Sequence, residues 1–409
     1  MLTDYVEEGA LPHVFQELWA EIAPIGRDPD TGGYVRYAWS PPELALREWF
    51  RAQAALRGMP VTDDGNGNLF ATWAPEGPGG GGLGVLTGSH FDSVPHGGGY
   101  DGPLGIVSAF LAVDALRARG VTPTRPVTVA AFAEEEGSRF GLACLGSRLL
   151  TGALAADRAA ALTDREGIRL GDVLGGAPAG ARPDLLATVD AFVELHIEQG
   201  RALDVPVGVA SAIWPHGRWR MDVEGEGNHA GTTLMADRRD PMLTYAFAVL
   251  AANKEARLRG GHATMGRVAV TPNATNAIPA AVRGWLDARA ADQETLDALV
   301  DGIARKVAER AARDGTSVRF TAESVTGEVR FDETLAGRTA ALLGAPILPT
   351  GAGHDAGVLA AHVPTAMLFV RNPTGVSHAP AEAATDDDCA AGVEALSRVL
   401  EELSAREAS

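Results

Sequence analysis

The chain has 409 residues, 46% apolar and 22% charged, which is ordinary globular chemistry at a length that predicts two domains. Its formal net charge of −18 argues against nucleic acid or an anionic membrane as partner, yet leaves room for a small anionic substrate beside a local arginine. Two cysteines, Cys144 and Cys389, cannot build a disulfide framework and read as packed small hydrophobes.

The opening Met1-Leu-Thr-Asp-Tyr-Val-Glu-Glu lacks the basic start and apolar core of a signal peptide. No stretch has the length and purity of a membrane span, so the expected location is the cytoplasm. Overlapping the glycine-rich patch Glu76 to Gly82, Gly79-x-Gly81-x-x-Gly84 matches the dinucleotide fingerprint in form. It precedes a strand instead of following one, and reads as a surface turn. A strand over 84–88 leads into Gly88-Ser-His90-Phe-Asp92. After Asp101-Gly-Pro103, apolar residues at Leu104, Val107, Phe110, Leu111 and Ala115 predict a helix over 103–119, stopped by Gly120. The strand over 127–132 ends in Glu134-Glu135-Glu136. Strand, helix, strand make a βαβ unit, so this sheet is predicted to be largely parallel. Ala191-Phe-Val-Glu-Leu-His196 and Ala366-Met-Leu-Phe-Val-Arg371 are two further apolar runs, the second followed by His378.

From about residue 212 the texture changes. A strand over 213–223, a helix from Asp240-Pro241 to about 258, strands over 263–270 and 280–288, a helix carrying Leu296, Leu299, Val300, Ile303 and Val307, and a strand over 317–325 follow in order. This βαββαβ order predicts a ferredoxin-like unit inserted into an α/β domain. The expected division is 1–211 and 328–409 for the first domain and 212–327 for the insertion.

Several parallel-strand patterns thus deliver His, Asp and Glu to one sheet edge, where open α/β folds bind ligands. Taken singly, each residue has a plain structural role. His90 can be a strand-end histidine, Asp101 a helix N-cap before Pro103, and one or two of three successive glutamates merely solvated. Asp92 is expected to orient His90 rather than bind metal. Their coincidence at strand ends, without cysteine, points to a divalent metal such as zinc or manganese. No Gly-x-Ser-x-Gly elbow, His-Glu-x-x-His or Walker loop occurs.

Gly88-Ser-His90-Phe-Asp92-Ser-Val, Asp101-Gly-Pro-Leu-Gly, Glu134-Glu-Glu-Gly-Ser-Arg-Phe, His196-Ile-Glu-Gln-Gly, Asn228-His229-Ala-Gly-Thr-Thr, Asn273-Ala-Thr-Asn276-Ala-Ile-Pro, Gly353-His354-Asp-Ala and Ser377-His378-Ala-Pro-Ala-Glu382 occur in this order. Together they resemble the hydantoinase/carbamoylase branch of the M20 metallopeptidase-like amidohydrolases, across nearly the whole chain. That branch includes N-carbamoyl-L-amino-acid hydrolases, β-ureidopropionases and allantoate amidohydrolases. The resemblance implies an M20-like catalytic domain with an inserted dimerisation or lid domain. It implies two divalent metals, Zn or Mn foremost and Ni or Co admissible. They would be held by His90 and His196 on one side and Glu136 and His378 on the other, with Asp101 bridging. Glu135 would be the general base. Glu134 has no assigned role and is expected to be solvated or helix-capping.

By the same resemblance, His229 would polarise the scissile carbonyl, and Asn276 and Arg289 would grip the substrate carboxylate. Gln199 and His354 are further candidates for the ureido group. Relatives dimerise through the insertion, and some of these groups reach the neighbouring subunit's site, so a homodimer is expected. Leu234, Gly227 and Pro241 depart from the family pattern and touch only loop shape. The implied reaction is hydrolysis of a linear C–N bond in a small ureido acid, an N-carbamoyl-L-amino acid or allantoate, with release of ammonia. The aromatic and basic segment Trp214-Pro-His-Gly-Arg218 tilts the choice toward allantoate; Arg218 is a further candidate for anion recognition. A rival activity is that of an aminoacylase or dipeptidase, against which His196 counts, since M20 peptidases generally carry a carboxylate there. A non-catalytic binding protein would be expected to have lost Glu135 or a ligand.

Overall fold

A computed structural model describes residues 11–75 and 81–405. The amino-terminal segment and most of the glycine-rich patch lie outside the described residues. The chain divides into two compact units, one formed by Met1–Ser211 with Arg330–Ser409 and the other by Ala212–Val329.

The first unit is built on a nine-stranded sheet. At its centre the strands Val127–Phe132, Gly84–His90, Val189–Ile197 and Thr365–Val370 lie side by side and parallel. Leu69–Trp73 and Val61–Asp63 extend one side, and Val207–Ile213 the other, all antiparallel to their neighbours. Every residue of Val127–Phe132 and of Thr365–Val370 is buried. That is why these strands read as continuous apolar runs instead of alternating ones: helices cover both faces of a parallel sheet. The helix Pro103–Ala118 is apolar almost all round. Ile106, Ala109, Ala112 and Val113 are buried along with Leu104, Val107, Phe110 and Leu111 of the predicted stripe, packed in one core with the sheet and the helix Asp386–Ser404, while Ala115 is half-buried. Each such isoleucine, valine, leucine or phenylalanine contributes about 1.5–3 kcal/mol by leaving water, and each alanine less. Asp114 survives in that core because Arg57 grips both its oxygens, the closest contact being 2.5 Å.

In the second unit four antiparallel strands run in the order Ser317–Thr326, His216–Glu224, Ala281–Arg289, His262–Thr271. Helices Pro241–Arg259 and Gln293–Asp314 cover one face. Alternation does the work here. Met221 and Val223 on one strand and Val282, Leu286 and Ala288 on the next face the helices, while charged residues between them occupy the open face. Asp240 and Asp292 cap the two helices through the N–H groups of Met242 and Thr295. Gly260 and Gly315 end them in the left-handed region. The strand predicted over 213–223 is in fact two, broken at Trp214-Pro215, because proline has no N–H to give a ladder. His216–Glu224 is moreover a central strand of its sheet and not an edge. Among the described residues no helix is long and apolar enough to cross a membrane.

Candidate metal centre

The four parallel strands end on one edge, and His90, Glu134 to Glu136, His196 and His378 lie on or just beyond those ends. Asp101 sits in the loop before Pro103, pressed against the first of them. Gly102 makes that approach possible: its φ is +86°, and a Cβ there would stand 2.5 Å from His90 Cε1. The helix cap is Gly102 and no side chain caps it. Asp101 is thus turned inward instead of capping.

Its two carboxylate oxygens face two different groups. Oδ1 lies 3.5 Å from His90 Nε2 and 3.2 Å from His196 Nε2, while Oδ2 lies 3.4 Å from His378 Nε2. Glu136 Oε2 is 3.6 Å from the same His378 nitrogen. Two sets of donors that could each hold a metal result, His90 with Asp101 and His196, and Asp101 with Glu136 and His378.

The protonation pattern suits cation binding. His90 Nδ1 is 2.9 Å from the Asp92 carbonyl and His196 Nδ1 is 2.8 Å from the Ile197 carbonyl. Carbonyl oxygens only accept, so both Nδ1 atoms carry the hydrogen, and a ring that gives up its Nε2 proton to a cation offers that lone pair beside Asp101. Both Nε2 atoms are buried without a hydrogen-bond partner, as is Glu136 Oε1. Buried polar atoms without a partner are costly, and one divalent ion in each donor set would satisfy them. His and carboxylate donors fit Zn or Mn.

The charges of the side chains themselves also favour positive charge beside Asp101. Burial opposes charge on Asp101, but His196, His378 and His90 hold its carboxyl well below the usual range. Burial likewise opposes charge on His90, and Asp101, Glu135 and Asp92 outweigh it and push the ring well above its ordinary value. His378 rises to about 9 beside Asp101 and Glu136 against a similar burial cost. Burial, with Asp101 adding repulsion, raises Glu136 to about 7. Glu135 is held well above the carboxylate range by burial, and Glu136, Asp355 and Asp92 add to it against His90. The carboxylate set is short of positive charge, a shortage that bound dications relieve.

Asp92 was expected to orient His90, and it does so through its main-chain carbonyl. Its carboxylate instead accepts the N–H groups of Glu135 and Glu136, at 3.1 and 3.0 Å, and so fixes the turn that presents both glutamates. Glu134 is buried, contrary to the solvated expectation. It adopts φ +54° and accepts from the N–H groups of Arg139 and Phe140, capping a turn and not a helix. Glu135 Oε2 stands 3.8 Å from His90 Nε2, and its other oxygen accepts from the Cys144 thiol at 3.3 Å. Cys144 is therefore more than packing.

Gln199 lies on the Asp101 carboxylate: its Nε2 is 2.6 Å from Asp101 Oδ2 and 3.2 Å from His378 Nε2. His354 is buried beside His196, ring centroids 4.5 Å apart, and its Nε2 has no hydrogen-bond partner. Two residues escaped the sequence reading. Glu194 joins His196 and His354 in a third close group and accepts from Ser89 Oγ and the Ala356 N–H. Its spacing of two from His196 on one strand puts both on one face, a signal present in the sequence. Glu382 accepts the N–H groups of Tyr100 and Asp101 and so holds the Asp101 loop; nothing local announces a contact made across 281 residues of chain.

In the second unit His229 Nδ1 accepts from the N–H groups of Gly231 and Thr232, at 3.0 and 3.2 Å. The neutral ring must then carry its hydrogen on Nε2, as a donor. Asn276 belongs to the same corner, since its carbonyl accepts the Ala230 N–H and Ala277 pairs with His229. Arg289 does not: it ends the strand Ala281–Arg289, and eight steps of about 3.3 Å put it roughly 26 Å from the strand's start.

A largely parallel α/β sheet delivering such donors to one edge, with a βαββαβ insertion, defines a metal-dependent hydrolase. The chain belongs to peptidase family M20/M25/M40, whose profile matches residues 86–402, and within it to the hydantoinase/carbamoylase branch. It is 37% identical over 406 residues to an N-carbamoyl-L-amino acid amidohydrolase of Geobacillus stearothermophilus, covering 93% of this chain and 96% of that one. It is 33% identical to the allantoate amidohydrolase of Escherichia coli strain K12, covering 93% and 95%. Among solved structures, an amidase of the hydantoinase/carbamoylase family from Burkholderia vietnamiensis matches with a TM-score of 0.87 at 29% identity, over 98% of this chain and 100% of that one.

Proposed function

We propose that this protein is a binuclear metal-dependent amidohydrolase that cleaves a linear C–N bond of a small ureido carboxylate, an N-carbamoyl-L-amino acid or allantoate, and releases ammonia. The observation that carries it is the division of Asp101, one oxygen toward His90 and His196 and the other toward His378 beside Glu136. His90 and His196 would hold one ion, Glu136 and His378 the other, and Asp101 both. Bound there, the ions supply an acidified water and a polarised carbonyl, which a poorly electrophilic ureido carbon needs.

The chain's own residues do the rest. Glu135, joined to the ligand turn yet outside the two donor sets, takes the proton of the attacking water and returns it to the leaving nitrogen. The Asp92 carboxylate and the Cys144 thiol hold that base in place. His229 donates from Nε2 to the oxygen on which negative charge develops. Arg289 and Asn276 bind the substrate carboxylate, and Gln199 and His354 face the ureido group.

A homodimer follows from the same reading. His229 and Asn276 share one corner of the inserted unit and Arg289 lies at the far end of its sheet, too distant to meet one small substrate. Two copies resolve this, each completing the other's site. Mixing inactive His229→Ala with inactive Arg289→Ala should then recover activity that neither has alone.

The deciding assay strips the metals, restores Zn or Mn separately, and measures ammonia from allantoate, N-carbamoyl-L-amino acids and N-carbamoyl-β-alanine. Turnover after exhaustive chelation, or turnover of N-acetylated amino acids alone, would replace this reading, the latter by an aminoacylase.

A further inference from the structure

The open face of the second unit's sheet carries two sets in which one aspartate stands between two arginines, and they differ. In the first, Asp222 is closed on both sides, 2.9 Å from Arg220 Nε and 2.6 Å from Arg283 Nε, with Glu323 adding 3.4 Å to Arg220. In the second, Asp287 takes Arg289 as a fork, Nε to Oδ1 at 2.9 Å and Nη2 to Oδ2 at 3.2 Å. Arg218, directly across the ladder from Asp287, stands off at 3.6 Å with its side chain 62% exposed. His216, across from Arg289, has Nδ1 3.0 Å from the Trp214 carbonyl, and burial lowers its pKa, so it adds no charge at neutral pH. Trp214 stacks on His262, at 5.7 Å, as an aromatic wall beside this end of the sheet.

Resting on the function proposed above, we infer that Arg218 is a substrate-binding residue, forming with Arg289 a two-arginine clamp, braced by Asp287, for a single carboxylate. Two guanidinium groups and one carboxylate leave one positive charge, which one ligand carboxylate neutralises. A planar carboxylate suits the arginine fork. A ligand with a second carboxylate would set it against Asp287. The clamp therefore selects monocarboxylic ureido acids over dicarboxylic ones, and acids over their amides. In the first set both arginines are instead engaged at close range, by Asp222 and, for Arg220, also by Glu323.

The test uses the full-length, metal-loaded protein with Glu135→Gln to stop turnover, and calorimetric titration with N-carbamoyl-L-alanine, N-carbamoyl-L-alaninamide, N-carbamoyl-L-aspartate and allantoate. Adding Arg218→Gln should weaken N-carbamoyl-L-alanine and allantoate about tenfold or more, the size of one charged hydrogen bond. It should leave the alaninamide unchanged and narrow the margin over the aspartate derivative, with Arg218→Lys falling between. An unchanged thermal transition shows the fold intact, as the exposure of Arg218 leads one to expect. Equal binding with and without Arg218, an equal loss for the amide, or no binding of either acid would overturn the clamp. Ammonia release by the unmodified enzyme separately decides the reaction, so a clamp that fails in an active ureido hydrolase is distinguished from a mistaken function.

Discussion

The metal edge of the first unit and the open sheet face of the second recruit charge in opposite ways. At the metal edge nearly every charged side chain is buried and fixed by a second group: Asp101 by Glu382 through its N–H, the glutamate turn by Asp92, His90 and His196 by carbonyls. On the open face the arginines are half exposed and held by one another's counter-ions. Chemistry that must develop charge in a dry site needs geometry set beforehand. Recognition of a carboxylate arriving from water needs only a standing surplus of charge.

Breaking the contrast at its strongest point gives the largest effect. Glu135→Gln should lower kcat by about 10²–10⁴ with metal content unchanged by elemental analysis; full turnover would remove Glu135 as the base. Next comes His229→Ala, which should cost about 10²–10³ in kcat with little change in KM. A change in KM alone would make it a binding residue. Asp92→Ala touches neither donor set, yet should weaken metal retention about 10–100-fold, read by chelator competition, because the glutamate turn loses its anchor. Retention equal to the parent's would show that the turn holds itself.

The smallest effect lies in the second unit and concerns pH. The Lys306 ammonium on Glu255, helped by Arg259, lowers the Glu255 pKa below its ordinary 4.5. A depressed carboxyl stabilises the fold above pH 4.5, and that contribution fades as pH falls through the lower folded value. Glu255→Gln should thus cost at most about 1 kcal/mol at neutral pH and flatten the acid limb of unfolding. An acid limb identical to the parent's would put its origin elsewhere.

The sequence made legible whatever is local or periodic. Unbroken apolar runs marked Val127–Phe132 and Thr365–Val370 as doubly covered strands, and the end of each run located a donor. The helix Gln293–Asp314 announced itself by its apolar stripe. Less legible were contacts made at long range. That Glu382 braces the Asp101 loop, or that the Cys144 thiol meets Glu135, depends on folding that no window of neighbouring residues encodes. The break at Trp214-Pro215 was visible in the proline, but hydrophobic continuity outweighed it. Arg289 and His229 could be named from the family resemblance, whereas their separation along the sheet required the strand register.

The strand Thr365–Val370 lies inside the large sheet, between Val189–Ile197 and Val207–Ile213, although more than a hundred and fifty residues of chain separate it from both. While the protein is being synthesised that slot stays empty until residues 365–370 leave the ribosome, and two hydrogen-bonding edges wait unpaired beside it. A nascent chain halted short of this strand is an aggregation hazard and has no His378. Pairing of both edges and delivery of His378 therefore wait on the same late segment of chain.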